Sequence, residues 1–179
     1  IGSKNEQGSY PVMIFQESQT WACPVAMEAI VYVIGAGGSG AAVGGSYDSS
    51  YNCRGGAAGG CAVSRLSLAQ QDYTIVIGSG GGIAPNENLS NGNAGGNSSF
   101  AGTGISTMTA NGGAGGTQSN SAQAITTGGG TATGGNLMNN TGGGGGATSA
   151  NQQTSSGGGV NLYGTDTNGT NDVSNSGFG

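Results

Sequence analysis

The stretch that decides the fold is Ala29–Gly40, AIVYVIGAGGSG. Its first half, Ala29–Ile34, is apolar at successive positions, so it predicts a strand with both faces buried. Its second half is a cluster of glycines. The same arrangement recurs where Tyr73–Ile77, YTIVI, runs into GSGGG. Because a strand leads directly into glycines twice, we expect the fold to repeat one structural unit, a strand continued by a glycine segment.

The glycines of these clusters recur every three positions. Gly35 is followed by Gly38, and later in the chain Gly112 is followed by Gly115. Three residues per turn, with a rise of about 3.1 Å, is the polyproline-II geometry, which has no internal hydrogen bonds. The runs are therefore either packed polyglycine-II-type helices, whose N–H groups reach neighbouring carbonyls, or flexible linkers. We favour packed helices because the runs alternate with strands.

The composition restricts the fold class further. Glycine accounts for 42 of 179 residues, whereas Leu, Ile, Val and Phe together account for only 26. So few large apolar side chains cannot fill a conventional α/β core throughout, and Gly, Asn, Ser and Thr are poor helix formers. We divide the chain into a polar lead-in (residues 1–11), a glycine-rich β/polyglycine-II domain (12–116) and a Gly/Asn/Ser/Thr-rich extension (117–179).

The sequence thus predicts an all-β fold. We expect a small antiparallel β-sandwich-like domain with packed polyglycine-II-type helices and a low-complexity tail. Besides the two strands above, Val12–Phe15, continued by Thr20 and Trp21, and Cys61–Leu68 have strand composition. The expected hydrophobic centre consists of Ile14, Phe15, Trp21, Ile30, Tyr32, Ile34, Leu66, Leu68, Ile75 and Ile77.

The charged residues limit which partners the chain can bind and which reactions it can catalyse. Three Lys and Arg residues stand against eight Asp and Glu, with no His, for a net charge of −5. The cations are scattered, so we expect no nucleic-acid binding. No apolar run reaches the roughly 20 residues of a membrane helix, so we expect no membrane insertion. Without His, and with dispersed carboxylates, the sequence predicts no enzyme, no catalytic residue, no metal site and no cofactor.

Two short motifs allow more than one interpretation. Gly35, Gly37 and Gly40 match the dinucleotide-binding fingerprint, which requires a helix after the third glycine and an acidic residue about 20 positions later. Residues 41–45 read AAVGG and residues 51–60 contain no Asp or Glu, so we exclude cofactor binding there. Cys53 and Cys61 flank a glycine-rich stretch, where they either form a disulfide or remain buried free thiols.

Six motifs follow one another along the chain. They are Phe15 with Thr20, Trp21 and Pro24, then IVYVIGAGGSG, GGCAVSRLSL, YTIVIGSGGG, GNAGGNSSF and TANGGAGG. Their order resembles the glycine-rich domain of bacteriophage tail-fibre and adhesin proteins. The resemblance covers about residues 14–116, and its specificity comes from the order, since each motif alone is weak.

The resemblance implies a β-structure extended by glycine helices at the end of a viral appendage, with loops between the helices contacting the host surface. We therefore expect a virion component, in a tail fibre, spike or capsid fibre, that serves host attachment. Its partners would be copies of itself, as a trimer, other virion proteins, and a host-surface glycan or protein. A cellular glycine-rich matrix or surface protein, located extracellularly, is the alternative.

We expect the contact residues to be exposed tyrosines. Tyr47, Tyr51 and Tyr163 are the candidates, because Tyr offers a large contact area at low entropic cost and is enriched at binding hot spots. The competing interpretation is that these side chains only cover the glycine-rich surface.

Overall fold

The computed structural model describes residues 11–42, 52–83, 90–119 and 127–146. Within these ranges the chain is all-β and contains no helix, which confirms the predicted fold class. The strands are β1 (Gln19–Ala22), β2 (Met27–Ile34), β3 (Asn52–Cys53), β4 (Cys61–Leu68), β5 (Asp72–Val76), β6 (Ser98–Ala101), β7 (Met108–Ala110), β8 (Gln118–Ser119), β9 (Ala132–Thr133) and β10 (Met138–Asn140).

The strands form two main antiparallel sheets and one short ribbon. The larger sheet has the order β1-β5-β6-β7-β9, the smaller one has the order β10-β4-β2, and β3 pairs with β8. The longest ladder joins β2 to β4 without interruption, from Met27 opposite Leu68 to Ile34 opposite Cys61. Residues 127–146, which the sequence analysis assigned to the extension, supply β9 to the larger sheet and β10 to the smaller one.

The hydrophobic core lies between the two main sheets. Tyr73 and Met108 are fully buried, and the rings of Tyr73 and Phe100 stack with centroids 5.1 Å apart. Of the expected core residues, Leu68 and Ile75 are buried, and others pack against the core while partly exposed. The latter are Phe15, Trp21, Leu66 and Ile77.

The expectation that the second strand is buried on both faces is wrong. The inner face of β2, from Met27 to Val33, packs on the core, but Ile30, Tyr32 and Ile34 are exposed by 58 %, 52 % and 49 %. The reason is that none of the described residues forms a second layer over the outer side of this strand. A run that is apolar on both sides thus does not require burial on both sides.

The predicted first strand also differs from the structure. Val12–Phe15 contains no strand pairing, and Ile14 is 76 % exposed rather than buried. Only Phe15 turns inward, where its ring lies 5.8 Å from that of Trp21. The strand at this edge begins later, at Gln19.

Extended glycine-rich segments continue the strands away from the sheets. The first segment follows β2, and the second leads back into β4, so the chain runs alternately outward and back. We call the whole set the glycine bundle. Its seven segments are residues 35–42, 54–60, 78–83, 90–97, 111–117, 127–131 and 141–146.

Backbone hydrogen bonds with a three-residue step join the segments of the glycine bundle. The first segment donates from every third residue to one neighbour and from the residue after each of these to another. In each case the partner number falls by three at each step, so the segments run antiparallel. Gly35, Gly38 and Ala41 donate to Gly60, Ala57 and Arg54, and Ala36, Ser39 and Ala42 donate to Gly96, Asn93 and Ser90, over 2.9–3.1 Å.

Close backbone approach explains why glycine occupies particular positions. A Cβ atom at Gly35 or Gly38 would overlap the backbone carbonyl of Asn111 or Ala114. A Cβ atom at Gly37 would find its nearest neighbour 3.8 Å away, which is ordinary contact. Successive glycines in one segment therefore differ in their need to be glycine.

Gly38→Ala should destabilise the protein by about 1–3 kcal/mol, because overfilling a packed site forces backbone shifts. Gly37→Ala is the matched control, adjacent in sequence and in open space. It should be neutral or stabilising by up to about 1 kcal/mol, because alanine restricts the unfolded chain. Urea unfolding of both variants measures the difference. Equal free energies of unfolding for the two variants would contradict close packing at Gly38.

Candidate functional site: the distal rim of the glycine bundle

The outward and returning segments of the glycine bundle meet at the end away from the sheets. The antiparallel pairing fixes this arrangement, since Gly35 lies opposite Gly60 next to the sheets and Ala41 lies opposite Arg54 far from them. We call the residues at this far end the distal rim. They are Ala42, Asn52, Cys53, Ile83, Ser90, Gln118, Ser119, Thr127, Gly145 and Gly146.

Backbone pairing between neighbouring segments holds the distal rim together. Ala42 pairs with Ser90, and Thr127 pairs with Gly145. The ribbon of β3 and β8 joins a third pair of segment ends. The ends of six segments are therefore tied together two by two rather than projecting separately.

Side chains reinforce these ties. The backbone N–H of Gln118 donates to Oδ1 of Asn91 over 3.0 Å. Nδ2 of Asn93 donates to the backbone carbonyl of Gly82 over 3.0 Å. Arg54 is buried behind the rim, where its Nη1 donates to the hydroxyl of Thr117. Short polar side chains thus complete hydrogen bonds that a glycine backbone cannot make alone.

Alternate connections between the segments start and finish at the distal rim, whereas the others pass through the two main sheets. The connections at the rim are residues 43–51, 84–89 and 120–126, and residues 147–179 follow the last segment. Tyr47 and Tyr51 belong to the first connection and Tyr163 to the last stretch, so all three predicted contact residues lie outside the described residues. The points where their stretches join the bundle, however, lie at one end of the molecule.

The cysteines of the described residues are free thiols, which decides between the two alternatives left open by the sequence. Cys53 lies at the distal rim, whereas Cys61 begins β4 next to the sheets, at the other end of an extended segment. A disulfide needs Cα atoms within about 7 Å. Burial raises the pKa of both thiols, so neither is an activated nucleophile at neutral pH.

Other chemical groupings are sparse in the described part of the chain. Arg65 and Glu28 form an exposed ion pair with Nε 3.5 Å from Oε2, and the Ser67 hydroxyl also contacts Glu28. Within the four described ranges, no three Cys, Asp or Glu side chains gather in a way that fits a metal ion, and no helix is long and apolar enough to cross a membrane.

The glycine fingerprint at Gly35–Gly40 has a structural explanation. Residues 35–42 form no helix, and the N–H groups of Gly35, Ala36, Gly38 and Ser39 donate to neighbouring segments. At Gly35, the first glycine of the fingerprint, the backbone of Asn111 fills the adjacent space. The fingerprint spacing is thus a consequence of the three-residue repeat.

Sequence reasoning did not foresee the distal rim itself. The available signal was the regular alternation of strand, glycine segment and connection, which makes consecutive segments antiparallel. Applied to the whole chain, that alternation places every connection that does not pass through the main sheets at one end. The residues of the rim are mostly small and polar, so none of them attracts notice individually.

Comparison with known proteins is consistent with this architecture. A search of curated proteins found no match. The family model described as a glycine-rich domain matches residues 14–179, which includes nearly all the described residues. The match spans both sheets and the whole glycine bundle. The chain therefore belongs to the glycine-rich domain family.

Proposed function

We propose that this chain is a structural and host-attaching component of a virion appendage, such as a tail fibre, spike or capsid fibre. The observation that supports the proposal best is the distal rim, where residues 43–51, 84–89 and 120–126 and the stretch after residue 146 all join the bundle. A hydrogen-bonded support from one end of which the stretches with the predicted contact residues begin has the form that attachment to a surface requires.

We further propose that the glycine segments are packed polyglycine-II-type helices. The support is the three-residue step of the hydrogen bonds, which matches a helix with three residues per turn. Glycines that abut backbone atoms at the same interval, such as Gly92 and Gly95 or Gly142 and Gly145, are further support. Packed in this way, the bundle itself would lose little conformational entropy on binding.

The proposed ligand is a glycan or protein on the host surface. Tyr47, Tyr51 and Tyr163 would supply the contact area, and the rim would fix where their stretches begin. Few charges lie near the rim in the described residues, which favours recognition by aromatic stacking and hydrogen bonds over ion pairing. The other proposed partners are further copies of this chain, as a trimer, and neighbouring virion proteins.

Immunogold electron microscopy of the native source tests the proposed location. An antibody against the chain should label appendages of virus particles, because that is where an attachment protein works. Labelling of a cell-surface or matrix layer in the absence of particles would contradict the proposal and favour the alternative, a cellular glycine-rich matrix protein.

Replacing all three tyrosines tests their proposed role. The purified Tyr47→Ala/Tyr51→Ala/Tyr163→Ala variant should bind host cells at least tenfold more weakly, since truncating a hot-spot residue typically costs more than 1 kcal/mol. Tyr10→Ala, in the polar lead-in, is the control and should bind normally. Binding of the triple variant equal to that of the control would remove these residues from the contact site.

A further inference from the structure

The free edge of β2 differs from the other edges of the two main sheets. Edge strands are normally short or carry Lys, Pro or bulges, because unpaired backbone groups invite other strands. Here β1, β9 and β10 have four, two and three residues, whereas β2 has eight, without Lys or Pro and with an unbroken ladder to β4. Of these four edges, only that of β2 is long and unprotected.

The hydrogen bonds of β4 show which residues of β2 face this edge. The N–H of Arg65 and the carbonyl of Val63 both point towards the β10 side. Their partners in the ladder, Ile30 and Tyr32, therefore direct their own N–H and carbonyl groups away from β4. The residues that expose apolar side chains thus also expose unpaired backbone groups.

A second apolar element of the chain is exposed at the start of the described residues. Val12, Met13 and Ile14 belong to no strand and are mostly exposed, and Val12 reaches 84 %. Phe15, immediately after them, packs against Trp21 and fixes the end of the segment. Within one molecule this segment has no strand partner in the described residues, and the edge of β2 has none either.

We propose that the β2 edge of one copy accepts Val12–Ile14 of a second copy as an added strand. This assignment rests on the proposed homo-oligomer and names the surfaces that build it. The added strand would gain main-chain hydrogen bonds and place alternate side chains beside Ile30 and Tyr32. Because donor segment and acceptor edge are different surfaces, the contact is heterologous, and a heterologous contact forms a ring when its rotation closes. A ring of three copies is the form that matches the proposed trimer.

Charge favours a second copy as the occupant. The segment from Pro11 to Phe15 contains no charged residue. On the acceptor strand the single charge, Glu28, is already paired with Arg65 of the same molecule. The two surfaces therefore meet without burying an unpaired charge, which would be strongly unfavourable.

A complementation experiment with the 179-residue chain tests the assignment by light scattering. The donor variant Val12→Ser/Met13→Ser/Ile14→Ser keeps the edge, and the acceptor variant Ile30→Lys/Ile34→Lys keeps the segment. Each alone should be a monomer of 17.0 kDa. Mixed in equal amounts, they should form a one-to-one complex of twice that mass, because the donor variant still offers an edge to the intact segment of the acceptor variant.

Controls separate assembly from folding. Ile83→Lys, at a still more exposed apolar position away from the β2 edge, should assemble like the unaltered chain. The circular dichroism of the donor and acceptor variants should match that of the unaltered chain. A donor variant that still self-associates would indicate pairing of β2 with β2 and overturn the assignment. A mixture that stays monomeric would overturn it as well.

The result is independent of the proposed attachment function. A monomeric unaltered chain would overturn both this assignment and the trimer, but it would leave immunogold labelling of appendages unaffected. Conversely, a trimer that neither variant disrupts would refute the strand addition while leaving the oligomer intact.

Discussion

The structure depends on one constraint, which is that a buried peptide group must find a hydrogen-bond partner. In the glycine bundle that partner is the backbone of another segment, reached without the regular ladder of a sheet. Gly113, for example, donates to Ala36 over 2.9 Å and accepts from Gly95 over 2.9 Å. A Cβ atom at Gly113 would overlap the carbonyl of Ala57, so the same packing that satisfies the backbone excludes larger residues.

The sheets determine how this bundle is arranged. The ladder between β2 and β4 passes directly into the hydrogen bond from Gly35 to Gly60, so the register of the strands becomes the register of the first two segments. The core around Tyr73 and Met108 thus positions residues that lie outside the two main sheets. Backbone hydrogen bonds, reinforced by side-chain bonds such as that from Gln118 to Asn91, extend this positioning to the distal rim.

Part of this architecture was predictable from the sequence. The all-β class, β4 in full and most of β5 followed from local composition, and Leu68 and Ile75 are buried as expected. The exposure of Ile30, Tyr32 and Ile34 was not predictable, because local apolarity cannot tell whether a second layer covers a strand. The short strands β9 and β10 were missed since two or three residues among glycines carry no periodic signal.

The candidate site was less accessible to prediction. The tyrosines could be chosen by residue type. That the stretches carrying them begin at one end of the bundle depends on whether each glycine segment runs away from the sheets or back towards them, and the spacing of the residues does not show this. The rim is built by backbone pairing, as between Ala42 and Ser90, and such pairs leave little trace in residue identity. Polar positions like Asn93 become meaningful only once their bond to Gly82 is seen.

Residue-resolved amide hydrogen exchange tests the central claim, that glycine backbones stabilise one another by hydrogen bonds. The amides of Gly113, Ala114 and Gly116 donate to neighbouring segments over 2.8–3.1 Å. They should exchange as slowly as amides in the ladder between β2 and β4, because both open only with loss of packed structure. Exchange of all three at the rate of an unfolded chain would contradict the account.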